Sequence, residues 1–286
     1  MAQTGQAGME HWRRAVRWTG AGIFAVALIS GVVGGLTRGS LSVAGADAGA
    51  AGHATHDAGA TTTLASGSAS GSASATAGHS SKGPAVSAKT AALGTAALLQ
   101  LTDLPAGWTA GGTAAAPTRV TPWSSKLASC VGVPAALAKV APTKVNSQDF
   151  TSADQVDAVE DSVSVYRSAA QAQAEYTALA GAKTTGCMNS VASRALQQNM
   201  QKEAGSTTTV GVVSFAGLPA GAAALHMTGF NVSIPIARGG RVLTVTSTQV
   251  DFVSGALLHQ VTFNGNGAAF PPVLEEQLLA TAQARH

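Results

Sequence analysis

The stretch RVLTVTSTQVDFVSGALLHQVTF, Arg241 to Phe263, decides the fold. It holds two runs dense in β-branched and aromatic residues, RVLTVTSTQVDF and ALLHQVTF, separated by Ser254-Gly255. Upstream, ALHMTGFNVSI is joined to the first run by Arg238-Gly239-Gly240, and TTTVGVVSF precedes it. Short glycine-containing connections make antiparallel hairpins, so these strands are expected to form a meander. Pro271-Pro272 then opens a final helix through VLEEQLLATAQ, with Leu274 and Leu278 on one face; proline suits a first helical turn.

The preceding part alternates helix and strand less clearly. LGTAALLQL, Leu93 to Leu101, reads as a short buried helix ending before the turn LTDLPAGW (Leu101–Trp108), which LPAGA (218–222) half-repeats. Trp108 to Thr113 and Gln148 to Thr151 read as strands, and Trp123 to Leu137 holds a short helix around Cys130 that Val133-Pro134 ends. From Val159 to Arg167, Val163 and Val165 alternate with Ser162 and Ser164, as in a half-buried strand. The longest helix follows. Ala172, Tyr176, Leu179, Ala180 and Cys187 form its inward stripe, with a break near Gly186 and an end near Met200; Tyr176 and Met188 are core residues on this reading. Consecutive strands with helices before and after them mean α+β, an antiparallel meander sheet packed by flanking helices.

Composition separates this domain from what precedes it. The 286-residue chain is only 11% charged, and its formal charge of +3 is too small for a nucleic-acid footprint. Trp18 to Thr37 carries no charge and has the length of a bilayer-spanning helix, with Arg13, Arg14 and Arg17 before it. The positive-inside rule leaves residues 1–17 in the cytoplasm and exports everything after 38. The expected layout is therefore a cytoplasmic tail 1–17, a transmembrane helix and signal anchor 18–37, a disordered linker 38–90 rich in Ala, Gly, Ser and Thr, and an extracytoplasmic domain 91–286. The alternative is a secreted protein, with Ala44-Gly45-Ala46 as the cleavage site. His53, His56 and His79 are too few ligands in an unfolded tether for a structural metal site, so no metal and no cofactor is expected.

Cys130 and Cys187 are the two cysteines, and an even count in an oxidising compartment reads as a disulfide. Catalytic templates fail one by one: the sequence has no G-x-S-x-G, no S-x-x-K and no H-E-x-x-H. Gly265-Asn266-Gly267-Ala268-Ala269-Phe270 approaches a dinucleotide loop, but Phe270 replaces the third glycine and no parallel strand follows. His226 and His259 are expected on strand faces, His226 with Phe230, Val232 and Ile234, and His259 with Leu257, Val261 and Phe263. They read as core histidines unless both faces line a cleft, in which case His226, His259 and Asp251 are the candidate cleft residues. Asp251 and Asp161 are the carboxylates nearest the expected sheet.

The order LLQLTDLPAGW, SCVGVP, SVSVYRSAAQAQAEYTALAGAKTTGC and a terminal meander with helix resembles exported actinobacterial sensor-type domains, such as those outside membrane-anchored serine/threonine kinases. The arrangement is also similar to the PsbP-like sheet-and-helix fold. The resemblance implies an antiparallel sheet flanked by helices, disulfides and a ligand-taking cleft, with LTDLPAGW as a fold signature. It does not extend to a kinase domain, nor to the second disulfide of kinase-linked relatives. The expectation is a non-enzymatic, single-pass membrane-tethered protein of the cell envelope that binds a small molecule, an envelope component or a protein, and no nucleic acid. Its rivals are an envelope hydrolase with ungrouped carboxylates and an accessory subunit of an envelope assembly.

Overall fold

The structure, a computed structural model, describes residues 86–285 except 112–113, 205, 220 and 223–224. The expected span 18–37, nearly all of the linker, and His53, His56 and His79 lie outside the described residues. No helix among the described residues is long and apolar enough to cross a membrane.

The first helix, α1 (Ala88–Ala97), begins inside the stretch assigned to the linker. The Ser87 hydroxyl caps it by accepting from the Thr90 amide at 3.1 Å. Alanine and threonine, which made this stretch look like tether, are here an alanine-rich helix start. Gly94 lets α1 approach the sheet closely. A Cβ there would stand 2.7 Å from Val145 Cγ2 and 3.0 Å from Val165 Cγ2. The chain leaves the helix in extended conformation at Leu98, earlier than Leu101 as expected from the sequence. Asp161 on the sheet draws it away, accepting from the Leu99 amide at 2.8 Å.

LTDLPAGW is a corner. Leu101–Asp103 forms one 3₁₀ turn, in which Asp103 accepts from the Gln100 amide at 2.7 Å. The same carboxylate takes Nη2 of Arg285 at 2.5 Å, which pins the end of the chain to this turn.

Among the described residues ten strands make one antiparallel sheet: β1 (Thr109–Gly111), β2 (Thr118–Arg119), β3 (Thr143–Asn146), β4 (Asp149–Thr151), β5 (Asp157–Val165), β6 (Thr208–Val210), β7 (Ser214–Gly217), β8 (Thr228–Arg238), β9 (Arg241–Ser254) and β10 (Leu257–Asn266). The main path runs β1-β4-β5-β10-β9-β8-β6, with β2–β3 joined to β5 and β7 joined to β8. The meander β8–β9–β10 stands where the sequence places it, and the fold is α+β. The strand read as TTTVGVVSF is in fact two, because of Pro235 in β8. A strand residue points its N–H and C=O to the same side, and the Pro235 carbonyl accepts from the Gly211 amide at 2.7 Å. Pro235 therefore withholds a donor from its outer neighbour, and that neighbour splits into β6 and β7 around it.

Helices cover both faces. On the first lie α1 and α7 (Pro272–Gln283), whose Leu278, Leu279 and Ala282 pack with Val159, Val250, Phe252, Val261 and Phe263. On the second lie α2 (Ser125–Val131), α3 (Ala135–Ala138), α4 (Ala169–Leu179), α5 (Thr184–Cys187) and α6 (Ser193–Ala204), over Phe230, Val232, Ile234 and Ile236. The break in the long helical segment falls at Ala180–Lys183, not near Gly186. The Thr184 hydroxyl fixes it by donating to the Ala178 carbonyl at 2.9 Å. A π turn, Met188–Ala192, joins α5 to α6. Side-chain amides on this path close the sheet edge. Asn189 donates to the Phe215 carbonyl and accepts from its amide, at 2.7 and 2.9 Å, and Gln201 does the same between Thr208 and Val210.

Candidate functional site

Strand alternation sorts the residues expected at a site. His259 opposes Phe252, while Gln260 opposes Asp251, so His259 and Asp251 point to opposite faces. His259 is buried on the first face and stacks on Phe252, with ring centroids 4.6 Å apart. His226 is not on a strand: it sits exposed in the turn before β8, at φ 55°. Asp161 opposes Val261 and is a first-face residue. The structure thus does not bring His226, His259 and Asp251 together, nor does it pair Asp161 with Asp251. The chain reversal before Thr228 removes His226 from the alternation that the sequence suggests. Cys130 and Cys187 are bonded, with 5.8 Å between their Cα atoms, and they tie α2 to α5.

Two neighbouring features have the character of a site, the first of them on the second face. One is an inner polar chamber. Gln249, Asp251, Gln260 and Ser162 project from β9, β10 and β5, and all but Gln260 are buried. Asp251 accepts from Gln249 Nε2 at 3.0 Å and from Gln260 Nε2 at 3.2 Å, while Lys144 Nζ donates to Gln260 Oε1 at 3.3 Å. Burial pushes the Asp251 carboxyl up to about 6 against these donors and the Lys144 charge. Burial lowers the Lys144 ammonium, and Glu160, Asp251 and Asp161 act in the other direction.

Glu175 enters from α4. It is fully buried, and burial pushes its carboxyl up to about 8. The Trp123 indole N–H is close enough to oppose that shift without completing a hydrogen bond of good geometry. Neither Glu175 oxygen, nor the Tyr166 hydroxyl, nor Trp123 Nε1 has a full hydrogen bond among the described residues. Glu175, Tyr166, Lys144, Ser164 and Gln260 line a cavity of about 30 Å³.

The other feature is a groove of about 680 Å³ on the outer side of Tyr166. Four cations from separate elements line it: Lys89 of α1, Arg119 of β2, Lys139 at the end of α3, and Arg167 between β5 and α4. All four are exposed, and none makes an ion pair among the described residues. The described lining contains no carboxylate. Thr90, Gln171 and Thr143 add hydrogen-bonding groups, and Leu93, Val140 and Pro142 an apolar flank. Gathered like charges repel one another unless an anion joins them, so this electrostatic field favours a negatively charged ligand. A groove of similar size, about 630 Å³ between α2–α3 and α4, is apolar and lacks a charged side chain.

Sequence reasoning did not find Glu175, Tyr166, Lys144 or Gln260 as a group, nor the four cations. Glu175 had a signal: it lies three residues after Ala172 and four before Leu179, on the inward stripe of α4. The cations had none, since four elements distant in sequence bring them together. The strand-to-helix loop 265–270 is closed to a dinucleotide phosphate. A Cβ on Gly265 would collide with the Ala268 carbonyl and lie 2.9 Å from the Phe270 nitrogen, so this glycine serves the turn's own packing.

No family model matches the chain, and no curated protein matches it. Among solved structures, the chain is similar to the extracellular domain of PknH from Mycobacterium tuberculosis, at 9% identity and a TM-score of 0.31, with 68% of this chain and 96% of that chain covered.

Proposed function

We propose that the chain is a non-enzymatic, extracytoplasmic binding protein held at a membrane through residues 18–37, and that it takes an anionic small molecule or envelope component in the groove beside Tyr166. One observation carries this reading: Lys89, Arg119, Lys139 and Arg167 converge on one groove without an ion-pair partner among the described residues. The uncharged segment behind Arg13, Arg14 and Arg17 supports the tether. Binding fits the groove better than hydrolysis does. General acid–base chemistry needs a carboxyl, histidine or similar group within reach of the substrate. Here the carboxyls lie beneath Tyr166 and the open lining is cationic.

Titration calorimetry on the full-length chain in detergent tests the reading. Phosphate monoesters should bind, and more weakly as salt is raised. A neutral alcohol of the same shape should not. The double variant Arg119→Ala/Arg167→Ala should lose roughly tenfold or more in affinity. Affinity that is indifferent to both charge changes and salt would overturn the proposal.

A further inference from the structure

The groove and the inner chamber share two walls, Tyr166 and Pro142, so the ring of Tyr166 is the partition between them. The two spaces differ in electrical character. Outside stand four cations without a carboxylate. Inside, Glu175 and Lys144 both line the chamber, Asp251 is joined to it through Gln260, and Asp251 and Glu160 act on the Lys144 ammonium. The chamber volume of about 30 Å³ exceeds the ~10–15 Å³ that one water-sized group needs. It is too small for more than a compact head.

The chamber's unfilled hydrogen-bonding capacity is mostly that of an acceptor. Both Glu175 oxygens and the Tyr166 oxygen lack a partner among the described residues, and both side chains are more than nine-tenths buried. A buried carboxyl with only the poorly aligned Trp123 N–H beside it is costly in either protonation state. A primary ammonium offers three donors and no acceptor, and its charge favours the ionised form of Glu175, which burial otherwise keeps protonated. A hydroxyl would satisfy fewer of these oxygens and no charge, and a quaternary ammonium would exceed the space.

We propose, building on the anion-binding reading of the groove, that the ligand is zwitterionic: its anionic end lies on Lys89, Arg119, Lys139 and Arg167, and its primary ammonium passes Tyr166 to seat against Glu175. Tyr166 then acts as a selective partition. Its ring swings aside for a slender aminoalkyl arm, and its hydroxyl becomes a hydrogen-bond partner of the seated amine.

The test compares ω-aminoalkyl phosphates of increasing length with alkyl phosphates of the same length, by calorimetry on the full-length chain in detergent. At the best length, the amine should improve affinity by about tenfold or more over its uncharged isostere. In Glu175→Gln the two members of that pair should bind equally. An equal affinity in the native chain at every length overturns the inference, as does an amine advantage that survives Glu175→Gln. Methylammonium alone, followed by the carboxyl-carbon NMR resonance of Glu175, keeps the two readings apart. A shift of that resonance in the native chain is required whether or not phosphates bind the groove, and its absence overturns the chamber assignment by itself. Loss of phosphate binding with the methylammonium shift retained would instead refute the groove and, with it, the zwitterion.

Discussion

Replacing Glu175 by Gln should change how stability depends on pH, and the sign follows from burial. In the folded chain the carboxyl is pushed up to about 8 from an ordinary 4.5. Below pH 4.5 it is protonated in both folded and unfolded chains, and its titration costs no stability. As pH rises from 4.5 towards 8, the unfolded chain releases a proton that the folded chain retains. Stability then falls, by about 1.4 kcal/mol per pH unit for each proton retained. Asp161, pushed up to about 7, and Asp251, to about 6, act in the same direction over lower ranges. Gln cannot ionise, so subtracting the variant's profile from the native one isolates Glu175. Partial relaxation around the carboxyl reduces the ideal slope, leaving a difference of one to a few kcal/mol, roughly, between pH 5 and pH 8. Urea unfolding at pH 5, 6, 7 and 8 reads it directly. The variant should gain stability relative to the native chain as pH rises. Parallel profiles would refute the reasoning, for then Glu175 titrates as a solvated carboxyl and the chamber is not what burial suggests.

Three further outcomes are expected. Cys130→Ser should cost about 4 kcal/mol in the chain-entropy model, given a sequence separation of 57, and Cys130→Ser/Cys187→Ser no more than either single change, both measured by urea unfolding. Gly94→Ala gains about 1 kcal/mol of helix propensity but overpacks against Val145 and Val165, a cost of about 1–3 kcal/mol. The net result should be a lowered melting temperature, and an unchanged or raised one would contradict the close approach of α1. Arg285→Ala removes the ion pair with Asp103, which is only partly exposed, and should cost about 1 kcal/mol, with faster amide exchange confined to the LTD turn and the end of α7.

Much of this architecture is legible in the sequence because local patterns specify it. Arg241–Phe263 announces two long strands, glycine marks their hairpins, and Pro271-Pro272 starts α7. The cysteine pair also follows from the even count read with the expected export. What fails is whatever depends on distant pairing. TKVN of β3 is too short to show alternation, yet it lies on β5 because α1 and the main sheet need its Val145. The pairing of β5 with β10 sets nine register pairs between segments about a hundred residues apart, and no local pattern carries that information. The candidate site fails for the same reason. His259 and Asp251 separate because a strand alternates and the hairpin register decides which residue opposes which. His226 leaves the sheet because the strand begins only at Thr228. Glu175 hides because a glutamate on an apolar stripe reads as solvent-facing until the sheet beneath it proves polar.

The central claim is that the basic groove holds an anion, and backbone NMR of the full-length chain in nanodiscs tests it most directly. On addition of propyl phosphate, the largest amide shifts should cluster at Lys89, Arg119, Lys139 to Thr143 and Tyr166 to Gln171, and Arg119→Ala/Arg167→Ala should abolish them. Shifts centred instead on the apolar groove at Val131–Pro134 and Gln173–Gly181, or shifts at the cationic groove that persist in the double variant, would contradict it.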